Sequence, residues 1–276
     1  MNRMTATPPA EASVSPAAPA IALNDLTMRF GAGTETPVLA VDRVSFSLAP
    51  GEFVSLVGPS GCGKTTILNL LTGLLHEEHE GDVRVLGKKP RSGNPDIAYM
   101  LARDSLLPWR TALGNAAFGM EVRGVARPER QARALELLKQ VGLGDFADKY
   151  PKALSHGMRQ RCALARTFAL DSTVLLMDEP FGALDAQTKL TLEDVLMDLW
   201  SAHRKTVVFV THDLAEAIAL SDRVIVMSAR PGRMIADVPV DLPRPRSVRK
   251  LQTDHRFHDL YAQLWGLLEQ GVTNDE

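Results

Sequence analysis

The chain has 276 residues, of which 45% are hydrophobic and 23% are charged, ordinary values for a globular protein. Its formal net charge of -2 gives no support to nucleic-acid binding, so we expect no nucleic-acid partner. No stretch approaches the roughly 18 apolar residues that span a bilayer, and two cysteines are too few for a disulfide scaffold. These features exclude a membrane-spanning chain and favour a reducing compartment.

The first part of the chain predicts a tail followed by short strands. Residues 1–20 are rich in Ala, Pro, Ser and Thr, and this composition predicts a disordered tail. Apolar runs split by Gly and Pro then predict strands at 21–30, 44–48 and 53–57. Phe30 is either a core aromatic or a ring that stacks on adenine, since a π-face is a good purine platform.

The run from Gly58 to Thr66 reads GPSGCGKTT and joins strand 53–57 to the start of a helix. This setting is typical of a P-loop, in which glycines let backbone N–H groups point at phosphate oxygens. Lys64 is expected to reach the β- and γ-phosphates, and the Thr65 hydroxyl is expected to bind Mg²⁺. The predicted nucleotide-binding residues are Gly58, Pro59, Ser60, Gly61, Cys62, Gly63, Lys64, Thr65 and Thr66.

After two more predicted strands, at 81–87 and 97–100, residues 111–170 have mainly helical periodicity. This region interrupts an alternating strand–helix pattern, so we predict an inserted helical subdomain at about residues 103–155. The next helix begins at the stretch LSHGMRQ. Its Ser155 is either a plain N-cap or part of a second anion site made by free N–H groups.

Two later apolar strands end in polar side chains. Val174–Met177 leads into Asp178 and Glu179, and Thr206–Val210 leads into a tip that carries His212. The C-terminal ends of buried parallel strands form the ligand edge of an α/β sheet. We therefore predict that one of these two carboxylates holds Mg²⁺ while its neighbour activates the attacking water, and that His212 contacts the γ-phosphate rather than capping the next helix.

The remaining elements are a turn at Leu184-Asp185, a helix at 187–203 and closing strands at 222–228 and 233–240. A C-terminal extension at 241–276 contains an amphipathic helix, which we expect to pack on the body rather than on a membrane surface. The predicted apolar stripe of this helix consists of Phe257, Leu260, Tyr261, Leu264 and Leu268.

Together these motifs resemble the ATP-binding cassette (ABC) family over nearly all of residues 21–235. The correspondence comprises a Walker A loop at 58–66, the signature motif at 154–160, a Walker B strand at 174–179, the D-loop at 184–185 and the switch histidine at 212. In addition, LLPWRT at 106–111 and Arg-Pro-Gly at 230–232 are similar to the nitrate/sulfonate/taurine branch of bacterial importers.

The resemblance implies an α/β fold: a P-loop NTPase core with a parallel sheet, an antiparallel β subdomain and the inserted α-helical subdomain, all within an ABC ATPase domain at 21–240. It also implies that two cassettes, identical or different, pair head to tail. Ser155 and Gly157 of one chain would then close over ATP held by Lys64 of the other. Asp185 of the D-loop is a further implied nucleotide-binding residue, and Asp178 joins Thr65 as an implied Mg²⁺ ligand. Glu179, His212 and Lys64 are the implied catalytic residues.

By the same resemblance, the chain hydrolyses ATP to energise import of a small anionic or zwitterionic solute through separate permease subunits. It would lie at the cytoplasmic face of the bacterial plasma membrane, with an extracytoplasmic solute-binding protein as an indirect partner. Trp109 is either a permease-docking residue or a buried anchor of the insert. Two alternatives stay open: a weakly hydrolysing regulatory cassette in a heterodimer, and a non-transport ABC ATPase.

Two residues depart from the family pattern. Ala102 stands where the family has Gln, and a methyl group cannot ligate Mg²⁺ or hold the attacking water. The open alternatives are that Arg103 or Asp104 substitutes for the missing amide, or that the metal gains a water. His156 replaces the second glycine of the signature motif. We expect both departures to affect the rate of hydrolysis more than nucleotide binding.

Overall fold

The computed structural model describes residues 18–273 except 32, 34–35, 76, 183, 245, 247 and 252. Residues 1–17 of the predicted tail therefore lie outside the described part. Ala20, which the sequence assigns to that tail, is buried and donates its N–H to the carbonyl of Leu48. The first strand is thus preceded by a residue that already belongs to the folded body.

Strands and helices alternate along most of the described chain. The strands are β1 (Ile21–Phe30), β2 (Val38–Leu48), β3 (Phe53–Val57), β4 (His79–Val85), β5 (Ile97–Met100), β6 (Val174–Asp178), β7 (Thr206–Val210), β8 (Arg223–Met227) and β9 (Met234–Pro239). The helices are α1 (Lys64–Thr72), α2 (Ala112–Val122), α3 (Arg127–Gln140), α4 (His156–Ala169), α5 (Ala186–His203), α6 (Leu214–Leu220), α7 (Val248–Leu251) and α8 (His255–Thr273).

The central sheet has the strand order β5-β6-β7-β3-β8-β9, and only β9 runs antiparallel to its neighbour. Continuous apolar runs such as those of β3 and β7 are buried at every position, as expected for parallel strands covered on both faces. A second sheet, β2-β1-β4, is antiparallel. The predicted α/β class with an antiparallel β subdomain is confirmed.

Two hydrophobic clusters cover the two faces of the central sheet. The smaller one joins the antiparallel sheet and α1 to one face. The larger one lies on the other face, and buried residues of the helical insert continue into it. At its centre Trp200 meets the edge of Phe53 with ring centroids 5.7 Å apart, and its indole N–H donates to the carbonyl of Lys205. This packing fixes the sheet that carries the site.

The strand register places the C-terminal ends of β6, β7 and β3, each followed by the predicted site residues, at one edge of the sheet. Asp178 on β6 pairs with Val210 on β7, and Val210 pairs with Leu56 on β3. The residues that follow β6, β7 and β3 therefore emerge side by side. This edge is where the topology of an open parallel sheet places ligands.

The C-terminal helix α8 packs on the body through Phe257 and Leu264, which are buried, but the predicted stripe needs a correction. Tyr261 does not share that face: it is 37% exposed, and its ring stacks on Trp265. The reason is that α8 presents two kinds of apolar surface, one against the sheet and one outward. None of the described helices combines the length and apolarity needed to cross a bilayer.

Candidate functional site

The loop after β3 has the backbone that its glycines permit. Gly61 and Gly63 adopt φ values of +80° and +98°, in the left-handed region that favours glycine. A Cβ on Gly63 would lie 2.6 Å from Cγ2 of Val41, so close packing also excludes a side chain there. Gly63 provides no side-chain cap for α1, which leaves the helix N-terminus suited to an anion.

Lys64 lies inside this loop and is only 6% exposed. Its Nζ donates to the carbonyl oxygens of Gly58 (2.7 Å) and Pro59 (2.9 Å) and approaches Sγ of Cys62 (3.6 Å). Cys62 itself is fully buried, consistent with a small residue that fits the loop. The loop thus encloses a cationic group that can pair with phosphate oxygens.

A contact that the sequence did not reveal supports the loop from behind. A Cβ on Gly232 would lie 1.8 Å from the carbonyl oxygen of Cys62, so this glycine packs directly on the phosphate-loop backbone. Backbone hydrogen bonds to Ala40 and Asp42 hold Gly232 in place. Resemblance to an importer branch singled out this Arg-Pro-Gly stretch, but its physical role follows only from the tertiary structure.

Thr65 and Asp178 meet across the site. The Thr65 hydroxyl donates to the two carboxylate oxygens of Asp178 (3.0 and 3.2 Å), and the hydroxyl of Tyr99 donates to the same carboxylate at 3.5 Å. Burial, reinforced by the neighbouring charge of Glu179, raises the pKa of Asp178. Burial also raises the pKa of Tyr99, whose role the sequence analysis missed.

Hydroxyl and carboxylate oxygens in a poorly hydrated position suit a hard divalent cation such as Mg²⁺. In the described part of the chain no cluster of three His, Cys, Asp or Glu side chains could hold a metal ion. A cation at Thr65 and Asp178 would therefore need further oxygen ligands from phosphate or water. The residues present fit Mg²⁺ bound together with a nucleotide.

Glu179 and His212 come together at the mouth of the site. Oε2 of Glu179 lies 3.2 Å from Nδ1 of His212, and their side chains are 34% and 61% exposed. Glu179 has φ +43°, which is uncommon for a residue with a side chain and is typical of strained functional positions. This arrangement leaves a carboxylate free to accept a proton from water, beside an imidazole that can hydrogen-bond an anion.

Ser155, Gly157 and Asp185 lie in a different hollow, of about 410 Å³. Ser155 caps α4 by accepting the N–H of Met158 (3.3 Å), and Asp185 caps α5 by accepting the N–H of Thr188 (3.0 Å). Hydrogen bonds from Thr188 lower the pKa of Asp185. The lining of this hollow contains no residue of the phosphate loop: it consists of Ser155, His156, Gly157, Met158, Arg161, Leu184, Asp185 and Thr188.

Close packing within the chain explains why position 157 is a glycine. A Cβ at this position would lie 2.6 Å from Cγ2 of Thr188, so glycine lets the starts of α4 and α5 approach each other closely. The N-cap interpretation of Ser155 therefore holds within one chain. It does not exclude a ligand, because the outermost N–H groups of a helix keep no intrahelical partner.

The two departures from the family pattern are linked through α4. Ala102 is exposed, and only its carbonyl is engaged, by Gln160 at 3.5 Å. The carboxylate of Asp104 accepts from Nε of Arg159 (2.8 Å), and Arg159 in turn lies 3.3 Å from Nδ1 of His156. Asp104 is thus committed to the signature helix, which argues against it as a substitute for the missing amide.

A buried charged network, which the sequence analysis missed, joins α5 to α6. Nζ of Lys189 contacts Asp213 at 2.6 Å and Glu216 at 2.8 Å. Glu193 lies nearby and is 2% exposed. Burial, together with the charge of Glu216, raises the pKa of Glu193 to about 8. The network connects the helix that Asp185 caps to the loop that carries His212.

Two aromatic residues that the sequence singled out are now placed. Phe30 is half-buried at the end of β1 and pairs with Val38, on the strand whose Val41 touches Gly63. It lies beside the small core, so it remains a candidate for stacking on adenine. Trp109 is 70% exposed, and the buried-anchor alternative is therefore wrong. The side-chain amide of Asn115 holds this loop: its oxygen accepts the N–H of Leu107, and its nitrogen donates to the carbonyls of Leu107, Arg110 and Thr111.

The comparisons with known proteins agree with this geometry. The family profile described as ABC transporter matches residues 41–182. An ATP-binding protein of Brucella abortus is 49% identical over 248 residues, covering 90% of this chain and 92% of that protein. The taurine import ATP-binding protein TauB of Rhizobium johnstonii is 41% identical over 243 residues, covering 87% of this chain and 92% of its own length.

A solved structure has the same fold. It is a dimeric structure of a post-hydrolysis state of the ATP-binding cassette MJ0796 bound to ADP and Pi. The TM-score is 0.70 at 31% identity, and the match covers 81% of this chain and 100% of that chain.

Proposed function

The chain belongs to the ABC transporter family as an ATP-binding subunit, and from this premise we propose that it hydrolyses ATP to drive import of a small anionic or zwitterionic solute. The observation that carries the proposal is the separation of two half-sites. Lys64, Thr65, Asp178, Glu179 and His212 converge at one sheet edge, while the capped starts of α4 and α5 line another hollow. Each half-site needs a second chain to complete it.

In the proposed reaction, Lys64 and the N–H groups of residues 58–66 bind the phosphates of ATP. Thr65 and Asp178 would hold Mg²⁺, which supplies charge neutralisation at the phosphates when it is bound. Glu179 orients the attacking water and takes its proton, and His212, held by Glu179, steadies the γ-phosphate.

Head-to-tail pairing would bring Ser155, Gly157 and Asp185 of the other chain to the same nucleotide. The N–H groups at the start of α4 would then face the γ-phosphate, and closure would exclude water from it. The dimeric state of the similar cassette supports this assembly. The partner cassette can be a second copy or a related chain.

The membrane contact is proposed at the helical insert. Trp109 projects from a loop that Asn115 rigidifies, so the ring is presented without a large ordering cost. Permease subunits docked there would hold the chain at the cytoplasmic face of a bacterial plasma membrane, with a solute-binding protein on the far side. Among the nitrate, sulfonate and taurine solutes that the resemblance implies, similarity to the taurine import protein TauB supports taurine.

The proposed division of the chain is an ABC ATPase domain at 21–240, with the insert at about 103–155 and an extension at 241–276. A second candidate function is a regulatory cassette with weak hydrolysis that pairs with an intact one. The observation in its favour is that no side-chain amide stands at position 102 and that Asp104 is tied to Arg159.

The test is ATP hydrolysis and solute uptake by vesicles that contain the chain with its permease. We expect Glu179→Gln to reduce ATP turnover by roughly 100-fold or more, since a general base contributes about that much, and to abolish uptake. Glu129→Gln, at an exposed acid of α3, is the matched control and should change neither. Equal hydrolysis by Glu179→Gln and the unsubstituted chain would contradict the assigned mechanism, and hydrolysis without any uptake would contradict the transport role.

A further inference from the structure

The outward face of α8 carries an aromatic patch, which consists of the rings of Tyr261 and Trp265 and the neighbouring Gly266. Trp265 is 51% exposed, and its ring lies parallel to that of Tyr261, with an interplanar angle of 10° and centroids 6.4 Å apart. The Trp265 indole N–H donates to Glu269 at 2.8 Å, which fixes the orientation of the ring. Such rigid, exposed aromatic surface is enriched at the centres of protein interfaces.

The patch lies directly beside the mouth of the nucleotide site. A groove of about 770 Å³ separates α8 from the phosphate loop. One wall consists of Gly58, Pro59, Ser60 and His212, and the other consists of Trp265, Gly266, Leu268, Glu269 and Gln270. The C-terminal helix therefore lies next to the phosphate loop and is not a remote appendage.

Contacts at the C-terminal end of α8 hold the patch at a fixed position. The carbonyl of Gly271 accepts the N–H of Ala229, which precedes the glycine that supports the phosphate loop. A Cβ on Gly271 would lie 2.2 Å from Cδ1 of Ile235, so α8 approaches β9 as closely as a backbone allows. These contacts hold the end of α8 that follows the patch against the body of the chain.

Unlike Gly271, Gly266 is not required by close packing against the described part of the chain. Among the described residues nothing lies within 4 Å of a Cβ built there, yet a glycine in a helix interior costs about 1 kcal/mol relative to alanine. A larger side chain at this position would fill the groove between α8 and the phosphate loop. The glycine thus leaves room for an external occupant at the edge of the nucleotide site.

We propose that this patch is a contact surface for a second copy of this chain in the nucleotide-bound pair. The inference rests on the proposed head-to-tail pairing, because a copy that covers Lys64 must also cover Ser60 and His212. These residues form the opposite wall of the groove, so the interface continues onto Trp265. A permease is the less favoured occupant, since the groove opens beside the nucleotide and Trp109 lies on another subdomain.

The test uses the full chain with Glu179→Gln as the parent, so that ATP and Mg²⁺ are held without turnover. Sedimentation velocity over a concentration series measures the dissociation constant of the pair. We expect Trp265→Ala to raise this constant by roughly tenfold or more, as truncation of a central tryptophan typically does. Phe146→Ala, which truncates an exposed aromatic of the insert, should leave it unchanged.

A second variant shows whether weaker pairing comes from the interface or from a destabilised chain. Gly266→Leu is expected to raise the thermal stability of the free chain, because leucine favours a helix, and yet to weaken the pair by filling the groove. Binding of a fluorescent ATP analogue by the dilute single chain should stay the same in both variants.

Three outcomes would overturn the proposal. If both variants pair as tightly as the parent, α8 is not part of the interface, and the proposed function survives. If Trp265→Ala weakens nucleotide binding by the single chain, the patch acts within its own site. If the parent itself stays monomeric with ATP and Mg²⁺, head-to-tail pairing fails, and this inference fails with it.

Discussion

The two half-sites are built in different ways. The phosphate half-site uses the ends of three adjacent buried strands, so its backbone is fixed by sheet register and by close packing against Gly232. The signature half-site uses two helix N-termini, whose capping side chains, Ser155 and Asp185, are already engaged within the chain. In the proposed function the phosphate half-site binds nucleotide by itself, whereas the signature half-site contributes mainly backbone N–H groups and a complementary shape.

Because the two half-sites are built differently, substitutions in them should have different consequences. Damage to the phosphate half-site should weaken nucleotide binding by a single chain. Damage to the signature half-site should leave that binding intact and reduce only the turnover of the pair. Four substitutions, taken from the largest expected effect to the smallest, sharpen or break the distinction.

The largest effect is expected for Gly232→Ala. Its Cβ would overlap the Cys62 carbonyl and displace the phosphate loop, and such overpacking typically costs about 1–3 kcal/mol. We expect the single chain to bind ATP roughly tenfold to a hundredfold more weakly, measured by titration of a fluorescent analogue. Gly33→Ala, where a Cβ meets no described residue within 4 Å, is the control. Unchanged affinity would mean that the loop does not depend on this support.

The next substitution, at Ser155, distinguishes a plain helix N-cap from a residue that contacts the partner's nucleotide. Aspartate is as good an N-cap as serine, but its charge would oppose a phosphate of the partner's nucleotide. We expect Ser155→Asp to keep the melting temperature and the single-chain ATP affinity, while the ATPase rate of the pair falls roughly tenfold or more. If the rate is unchanged, Ser155 is a helix cap and nothing more.

A smaller effect, in the opposite direction, is expected for Ala102→Gln. The amide would restore a group able to ligate Mg²⁺ or hold water near the exposed position 102, and the ATPase rate with permease present should rise a few-fold. Ala102→Leu, which adds similar volume without the amide, should give no rise. A rate that stays the same or falls with glutamine would show that this side chain is not limiting.

The smallest effect tests the network that links the half-sites. Burial raises the pKa of Glu193 from its ordinary value of 4.5 to about 8, so the folded chain keeps this proton in a pH range in which the unfolded chain has lost it. Stability is therefore lost as the pH rises through this interval. Glu216 and Asp213 increase the shift, and Lys189 opposes it.

Glu193→Gln removes this titration, so its melting temperature should fall less between pH 5 and pH 8.5 than that of the unsubstituted chain. Each kcal/mol corresponds to roughly 2–4 °C for a domain of this size. Glu136→Gln, at an exposed acid, should follow the unsubstituted chain. Parallel pH profiles for all three proteins would contradict a shifted Glu193.

Much of this protein was determined by local sequence. The phosphate loop, the acidic end of β6 and the histidine after β7 could be predicted because each depends on a short run: glycines that allow positive φ, an apolar strand, and the polar residue next to it. The fold class followed from the alternation of such runs. These signals are local because backbone geometry and strand burial act within a few residues.

Only the tertiary structure decided which distant groups meet. The examples are Gly232 against Cys62, Tyr99 beside Asp178, Lys189 between Asp213 and Glu216, and Trp265 across a groove from Ser60; each joins segments that are far apart or lack a local pattern. The exposure of Trp109 and Tyr261 was likewise decided by packing. The physical reason is that close contact and burial depend on how whole elements dock, and side-chain periodicity specifies only one face of each element.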